Sequence, residues 1–288
     1  RGNSGGSLFE ANKLTGLFVS SGATLQVKES NGSVRSWGDA RAKQIWKKPV
    51  AVMVDRYSAS ASEIFAGAIQ DYQRGIIIGQ KTFGKGTVQK LDDLSSGQIK
   101  ITESKFYRVT GAGMQNKGIR PDIILPSTWD IEEIGESSYD TALPWDEIQP
   151  VSFKKFSMGP SLISKLNNEH LIRVNQNPNL QYILDVRKRY EIQKNKKEIS
   201  LNFTNRRIEK EERQSWALDV ENRRRASLDL EIFSSYGEMQ DYKDAKEAEE
   251  KEKDLEIDIN KDYLLNEGTQ ILSDYTIFYQ NTYLSKAA

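Results

Sequence analysis

Pro49-Val50-Ala51-Val52-Met53-Val54-Asp55-Arg56-Tyr57-Ser58-Ala59-Ser60-Ala61-Ser62-Glu63, followed by Gly75-Ile76-Ile77-Ile78-Gly79, is the stretch that decides the fold. Short uninterrupted apolar runs of this kind are strands buried on both faces. Between them Ile64, Phe65, Ala68, Ile69 and Tyr72 recur along one side of a helix that has serines at its start and Glu63 near its first turn. Strand, helix, strand is α/β order, and Ser60 falls at or near the helix N-terminus.

Downstream, Thr87-Val88-Gln89 and the stretch from Gln98 to Val109 alternate apolar and polar residues as half-buried strands do, with Gly111-Ala112-Gly113 as a turn. From about Phe153 the character changes. Helical patterns rich in Lys, Arg, Glu and Asn run over 162–175, 180–195 and 202–225, while glycine and buried β-type runs nearly vanish. The charge run from Glu238 to Lys253 reads as a solvated helix or linker. Beyond it, Leu264, Leu265, Ile271, Leu272, Tyr275 and Tyr279 form a last amphipathic helix. The two regions meet near Leu143-Pro144-Trp145-Asp146, after a turn-rich, acidic stretch, and no internal repeat is evident.

The 288 residues are enough for one large or two ordinary domains. Lys plus Arg is 41 and Asp plus Glu is 41, and this balance gives no general case for nucleic acid or an anionic membrane surface as a partner. The absence of cysteine removes thiolate catalysis, disulfides and the usual zinc frameworks. No apolar run approaches a membrane span, and Arg1-Gly2-Asn3-Ser4-Gly5-Gly6-Ser7 lacks both an initiator methionine and the apolar core of a signal peptide. The sequence therefore reads as a piece whose true N-terminus lies upstream.

A serine hydroxyl becomes a nucleophile only with a base in reach, and the familiar base is histidine. The single histidine, His170, sits in the polar stretch Asn167-Asn168-Glu169-His170 and reads as a surface residue. A serine hydrolase built on this chain would have to use lysine, which serves as a base when its ammonium is desolvated. Lys85, in Thr82-Phe83-Gly84-Lys85-Gly86-Thr87-Val88-Gln89, has suitable surroundings, since two glycines permit close backbone approach and Phe83 and Val88 can shield the amine. On its own it reads as an exposed lysine in a glycine-containing hairpin turn. Serine at a strand-to-helix junction would stand at an exposed corner with helix-end N–H groups beside it. Two of Ser58, Ser60 and Ser62 are expected to act only as N-caps.

These three segments, Arg1 to Gly6, Val54 to Glu63 and Thr82 to Gln89, resemble the motifs of the carboxy-terminal processing peptidases, and most closely the tail-specific protease branch. The resemblance implies serine endopeptidase activity through a Ser/Lys dyad. It selects Ser60 as nucleophile and Lys85 as general base, with Gln89 orienting the lysine. It implies an oxyanion hole from Gly5 or Gly6 with the N–H of Ala61, and structural support from Asp71. Ser4 departs from the glycine common among relatives.

The fold the resemblance implies is an α/β spiral core of the crotonase and Clp-protease type over 1–142, followed by an all-α C-terminal domain over 143–288. It implies no metal or cofactor, protein substrates with unstructured apolar C-termini, a periplasmic or envelope setting, a possible adaptor protein, and a PDZ domain upstream of Arg1. The rival reading is a non-catalytic scaffold that binds peptides or an adaptor. The ending Tyr283-Leu284-Ser285-Lys286-Ala287-Ala288 is similar to tails that such proteases recognise, but an accidental ending or a truncation point is the simpler reading.

Overall fold

A computed structural model describes residues 1–39, 42–130, 132–159, 161–252 and 259–283. The chain divides into two compact units, one made of Arg1–Leu125, Trp129–Asn168 and the residues from Gly268 onward, the other of Pro126–Thr128 and Glu169–Glu267.

The first unit is mixed α/β. It holds α1 (Leu8–Gly16), β1 (Leu25–Glu29), β2 (Val34–Trp37), β3 (Ala51–Val54), α2 (Ala61–Asp71), β4 (Ile76–Gly79), β5 (Thr87–Asp93), β6 (Gln98–Tyr107) and β7 (Ile123–Ile124). Strands β3, β4 and β7 form a parallel sheet in that order, with Ala51 opposite Ile76 and Val54 opposite Gly79. The strand, helix, strand order read from residues 50–79 is therefore present. Ile76, Ile77 and Ile78 are fully buried, as expected for the central strand of a sheet covered by helix, and each contributes roughly 1.5–3 kcal/mol through burial. The buried face of α2 (Ile64, Ala66, Ile69) packs with Val54 and Ile77 into the same core as Leu25, Val27 and Phe106 from the second sheet. That second sheet is antiparallel, in the order β2-β1-β6-β5.

β5 and β6 differ from the half-buried reading of their alternation. From Gln89 to Ile101 the hairpin is largely exposed, including Leu91, Leu94, Ile99 and Ile101. Only its base enters the core, through Thr87, Ser104, Phe106 and Tyr107. Elements α1, β1 and β2 have no counterpart in the sequence reading, because residues 7–37 carry neither a continuous apolar run nor a long helical period.

The C-terminal half is helical, with α3 (Leu162–Gln176), α4 (Pro178–Lys194), α5 (Phe203–Ala226), α6 (Tyr236–Glu252) and α7 (Tyr263–Tyr283). The boundaries follow local chemistry. Asn177 caps α4 by accepting from the N–H groups of Asn179 and Leu180, with Pro178 in the first turn. Asn202 caps α5 by accepting from Asn205 N–H at 3.2 Å. From Asp241 to Glu249, α6 is exposed, as a solvated charge run should be; Lys253 and the chain ending after Tyr283 lie outside the described residues. No helix among the described residues is long and apolar enough to cross a membrane.

His170 overturns its reading as a surface residue. It is 1% exposed, and its Nδ1 lies 2.8 Å from Oε1 of Glu267. Arg173 Nε donates to the same carboxylate at 3.0 Å. The polar run around it gave no sign of this, since Glu267 lies 97 residues away and only the meeting of α3 with α7 makes the site internal. His170 and Arg173 hold the Glu267 carboxyl below its ordinary range against the desolvation that opposes it.

Candidate active site

The turn from β3 into α2 is built around Asp55. Its Oδ1 accepts from the N–H groups of Tyr57 at 3.1 Å and Ser58 at 3.0 Å, and from Ser58 Oγ at 3.1 Å. Its carboxylate also takes the N–H of Gly2 at 2.9–3.0 Å, which brings the N-terminal glycine segment alongside. Asn3 completes that attachment: its carbonyl accepts from Ala59 N–H at 3.0 Å and Ser62 Oγ at 2.8 Å, and its Oδ1 accepts from Gly5 N–H at 2.9 Å.

The N-cap position of α2 is Ser60. Neither Ser58 nor Ser62 is an N-cap as expected; both hydroxyls fasten the turn, to Asp55 and to the Asn3 and Ala59 carbonyls. Ser60 has φ +57° and ψ −119°, a conformation that L side chains rarely adopt. Such strain persists only when surrounding structure over-determines it.

Gly5 sits directly against this corner. A Cβ on Gly5, whose φ is +101°, would stand 2.7 Å from the Ala59 carbonyl oxygen, 2.8 Å from Ser60 Cβ and 3.0 Å from Ala61 N. None of these atoms belongs to a flexible side chain that could swing aside. Gly5→Ala is expected to displace the start of α2 and destabilise the chain by about 2 kcal/mol or more, read as a lower urea midpoint. An unchanged midpoint would show that the glycine segment does not hold Ser60.

Glu63 joins the serine to the lysine segment. It is fully buried, and Oε2 accepts from Ser60 N–H at 2.8 Å and Lys85 N–H at 2.9 Å. Oε1 accepts from Gly84 N–H at 2.7 Å and Thr82 Oγ1 at 2.5 Å. Burial pushes the carboxyl up to about 7 despite these four donors. The rest of the lysine segment is equally tied. Phe83 N–H donates to the Ser58 carbonyl at 2.9 Å, and the N–H of Gly86 to Gln115 Oε1 at 2.9 Å. Buried Arg56 donates to the Thr82 carbonyl. Each N–H from Thr82 to Gly86 thus has a partner, which fixes the backbone from which Lys85 projects.

Two cavities flank half-buried Lys85. The smaller, of about 320 Å³, is lined by Gly6, Ser60, Ala61, Lys85 and Gln89, with Ile64 and Phe106 among its apolar walls. The larger, of about 650 Å³, shares Ser4, Lys85, Thr87 and Gln89 and extends past Tyr57, Phe83 and Tyr139. The structure thereby brings together Ser60, Lys85, Gln89, Gly6 and Ala61, while Gly5 lies beneath the serine with its N–H already taken by Asn3. Phe83 and Val88 each line a cavity with Lys85. A bulge between Val88 and Gln89 interrupts the pairing of β5 with β6 at the position where Gln89 enters both cavities.

Asp71, the last residue of α2, lies apart from this cluster. Its carboxylate takes both oxygens' worth of Arg108 Nε at 3.0 Å and is buried, and that burial raises its pKa against the guanidinium beside it. Among the described residues no three His, Cys, Asp or Glu side chains converge as a metal site would require. Residues that the sequence reading passed over are Glu63, Thr82, Arg56, Gln115 and Glu136. Only Glu63 had a local signal, the Ser-x-x-Glu spacing of a capping box.

Residues 1–125 match the model of peptidase family S41, and residues 129–276 match the C-terminal domain of tail specific protease. The tail-specific protease of Haemophilus influenzae is 37% identical over 299 residues, an alignment that covers 100% of this chain and 41% of that protein. A probable CtpA-like serine protease of Staphylococcus epidermidis is 38% identical over 136 residues, 43% of this chain and 26% of that protein. Among solved structures, a photosystem II D1 C-terminal processing protease aligns with a TM-score of 0.39 at 33% identity, over 43% of this chain and 33% of that one. This chain thus spans about two-fifths of the length of the Haemophilus relative.

Proposed function

Because this chain belongs to peptidase family S41 and carries the C-terminal domain of the tail-specific proteases, we propose that it is the catalytic portion of a serine endopeptidase in which Ser60 is the nucleophile and Lys85 the general base. The observation that carries the reading is that Ser60 and Lys85 line one cavity while their backbone N–H groups share a single carboxylate oxygen of Glu63. Two N–H groups on one acceptor keep their nitrogens within about 6 Å of each other, a separation that two side chains can close.

The Lys85 amine takes the proton of Ser60 Oγ as that oxygen bonds to the carbonyl carbon of a peptide. The carbonyl electron pair moves onto oxygen, where backbone N–H groups beside Ser60 stabilise the charge. Gly6 and Ala61 are the donors we assign, since both line the cavity with Ser60 and the Gly5 N–H is engaged by Asn3 Oδ1. Collapse of this adduct breaks the C–N bond, and Lys85 returns the proton to the departing amine. Lys85 then takes a proton from a water whose oxygen bonds to the ester carbon, and returns it to Ser60 Oγ as the C–Oγ bond breaks and the acid leaves. Gln89, beside Lys85 in both cavities, orients the amine, and Asp71 braces α2 through Arg108.

The same reading assigns catalysis to residues 1–142 and a helical accessory role to 143–288. It takes as substrates envelope proteins that end in unstructured apolar tails, delivered by an upstream recognition domain or an adaptor. A fluorophosphonate probe tests its centre, because the reagent bonds only to an activated serine. Labelling is expected at Ser60 in the purified protein and should vanish in Lys85→Ala. A folded protein that does not label would instead be a peptide-binding scaffold.

A further inference from the structure

We propose that the larger cavity beside Lys85 is a subsite for one bulky, uncharged apolar side chain of the substrate polypeptide, and that Tyr139 is its specificity-determining residue. The proposal rests on the endopeptidase reading above and gives it a substrate preference. At about 650 Å³ the cavity has room for a large side chain together with the peptide backbone that carries it. It shares Ser4, Lys85, Thr87 and Gln89 with the cavity that contains Ser60. A chain laid across Ser60 in the smaller cavity therefore continues into the larger one without leaving the site.

The walls say what the cavity takes. Tyr57 is 43% exposed, Tyr139 57% and Leu143 42%, and all three face this one cavity together with Phe83 and Ala142. Large apolar groups left open to water and gathered around one concavity mark a binding surface, whereas the same residues scattered singly would not. The aromatic walls are held by ring contacts, Tyr57 edge-on to Trp129 with ring centroids 5.4 Å apart, and Tyr139 tilted against Phe83 at 6.4 Å. The ionisable acid and base on the lining are one of each, Glu136 and Lys85, so no excess of either sign draws in an ionised occupant.

The wall bearing Tyr139 is fastened to the lysine segment along its length. Glu136 N–H donates to the Phe83 carbonyl at 3.0 Å, and Glu136 Oε1 accepts from Gln115 Nε2 at 3.1 Å. Gln115 in turn accepts from Gly86 N–H, next to Lys85, at 2.9 Å. At the far end, Asn116 Nδ2 donates to the Leu143 carbonyl at 3.0 Å, while Asn116 N–H donates to the Gly84 carbonyl at 2.8 Å. Tyr139 is thereby set at a fixed place relative to the base. Residues 129–143 fall within the match to the tail-specific C-terminal domain, so that region supplies one wall of the cleft.

The test uses unstructured peptides in which Leu, Phe, Ala or Asp is placed in turn at each position around the scissile bond. At one position, kcat/KM should favour Leu or Phe over Ala by roughly tenfold or more, the discrimination an apolar pocket gives for added methylenes, and Asp should be the poorest. Tyr139→Ala should reduce the Leu-to-Ala ratio about tenfold at that position alone, and Tyr139→Phe should keep it. A ratio unchanged by Tyr139→Ala at every position, or a loss uniform over all positions, overturns the subsite. Fluorescence anisotropy with the same peptides on Ser60→Ala separates the two readings. Tyr139-dependent preference for Leu or Phe peptides without any cleavage by the parent protein would sink the Ser60–Lys85 assignment and sustain the subsite. Cleavage with equal affinity for Leu and Ala peptides would do the reverse.

Discussion

Ser60→Ala and Lys85→Ala are each expected to lower kcat on an unstructured peptide by about 10⁴-fold or more, and the double variant is expected to be no worse than either. A nucleophile and its base act as one unit, so removing either removes the covalent route, and what remains is binding alone. The fold should survive both changes. Lys85 reaches Glu63 through its backbone N–H, which alanine retains. Ala in place of Ser60 keeps a Cβ at φ +57° and so inherits the strain already present. Ser60→Gly is then informative, because glycine adopts this conformation freely and should melt above Ser60→Ala by the release of roughly 1–3 kcal/mol. Thermal melts within about 3 °C of the parent for both alanine variants, beside lost turnover, support the dyad. Retention of more than 1% of kcat in either variant, or a double variant much slower than both singles, would show that the two residues do not work together.

What could be read from the sequence was whatever is encoded locally. The run from Val50 to Val54, the one-sided pattern after Ser60 and the isoleucines 76–78 place a parallel β-α-β unit because each carries its own periodicity. The helices expected over 162–175, 180–195 and 202–225 differ from α3, α4 and α5 by two residues at most. Long charged helices announce both their period and their caps. The motifs brought Ser60, Lys85 and Gln89 onto one cavity, although the residues that fix the distances among them were largely hidden. Gln115 reaches Gly86 of the lysine segment across 29 residues and Glu136 reaches Gln115 across 21 more, and no local pattern encodes such contacts. His170 failed for the same reason: burial is decided by what packs on a helix, and Glu267 arrives from another element.

The second large effect concerns Glu63, whose replacement by glutamine should lower both activity and stability, with a stability loss that depends on pH. In the folded chain burial raises the Glu63 carboxyl to about 7 from an ordinary 4.5. Between those values the folded state holds a proton that the unfolded chain releases. The associated stability is fully present below about pH 4.5 and is lost as pH rises through about 7, a change of about 3 kcal/mol. A protonated carboxyl can still serve all four neighbours. One oxygen accepts from Ser60 and Lys85, while the hydroxyl donates to Thr82 Oγ1 and accepts from Gly84 N–H. Glutamine cannot, since its NH₂ group has no lone pair for the Gly84 or Lys85 donor that it must face. Glu63→Gln should therefore cost about 2–3 kcal/mol at pH 5, where the parent is neutral at this site, and the gap should close toward pH 8 as the parent incurs the desolvation cost of its own charge. Urea midpoints of the two proteins at pH 5, 6, 7 and 8 measure this directly. Peptide cleavage should fall by tenfold or more at every pH, because the displaced Gly84 and Lys85 amides carry the base away from Ser60. Parallel stability curves across that range would show that Glu63 stays ionised throughout, and unimpaired cleavage would show that the serine and lysine hold their positions without it.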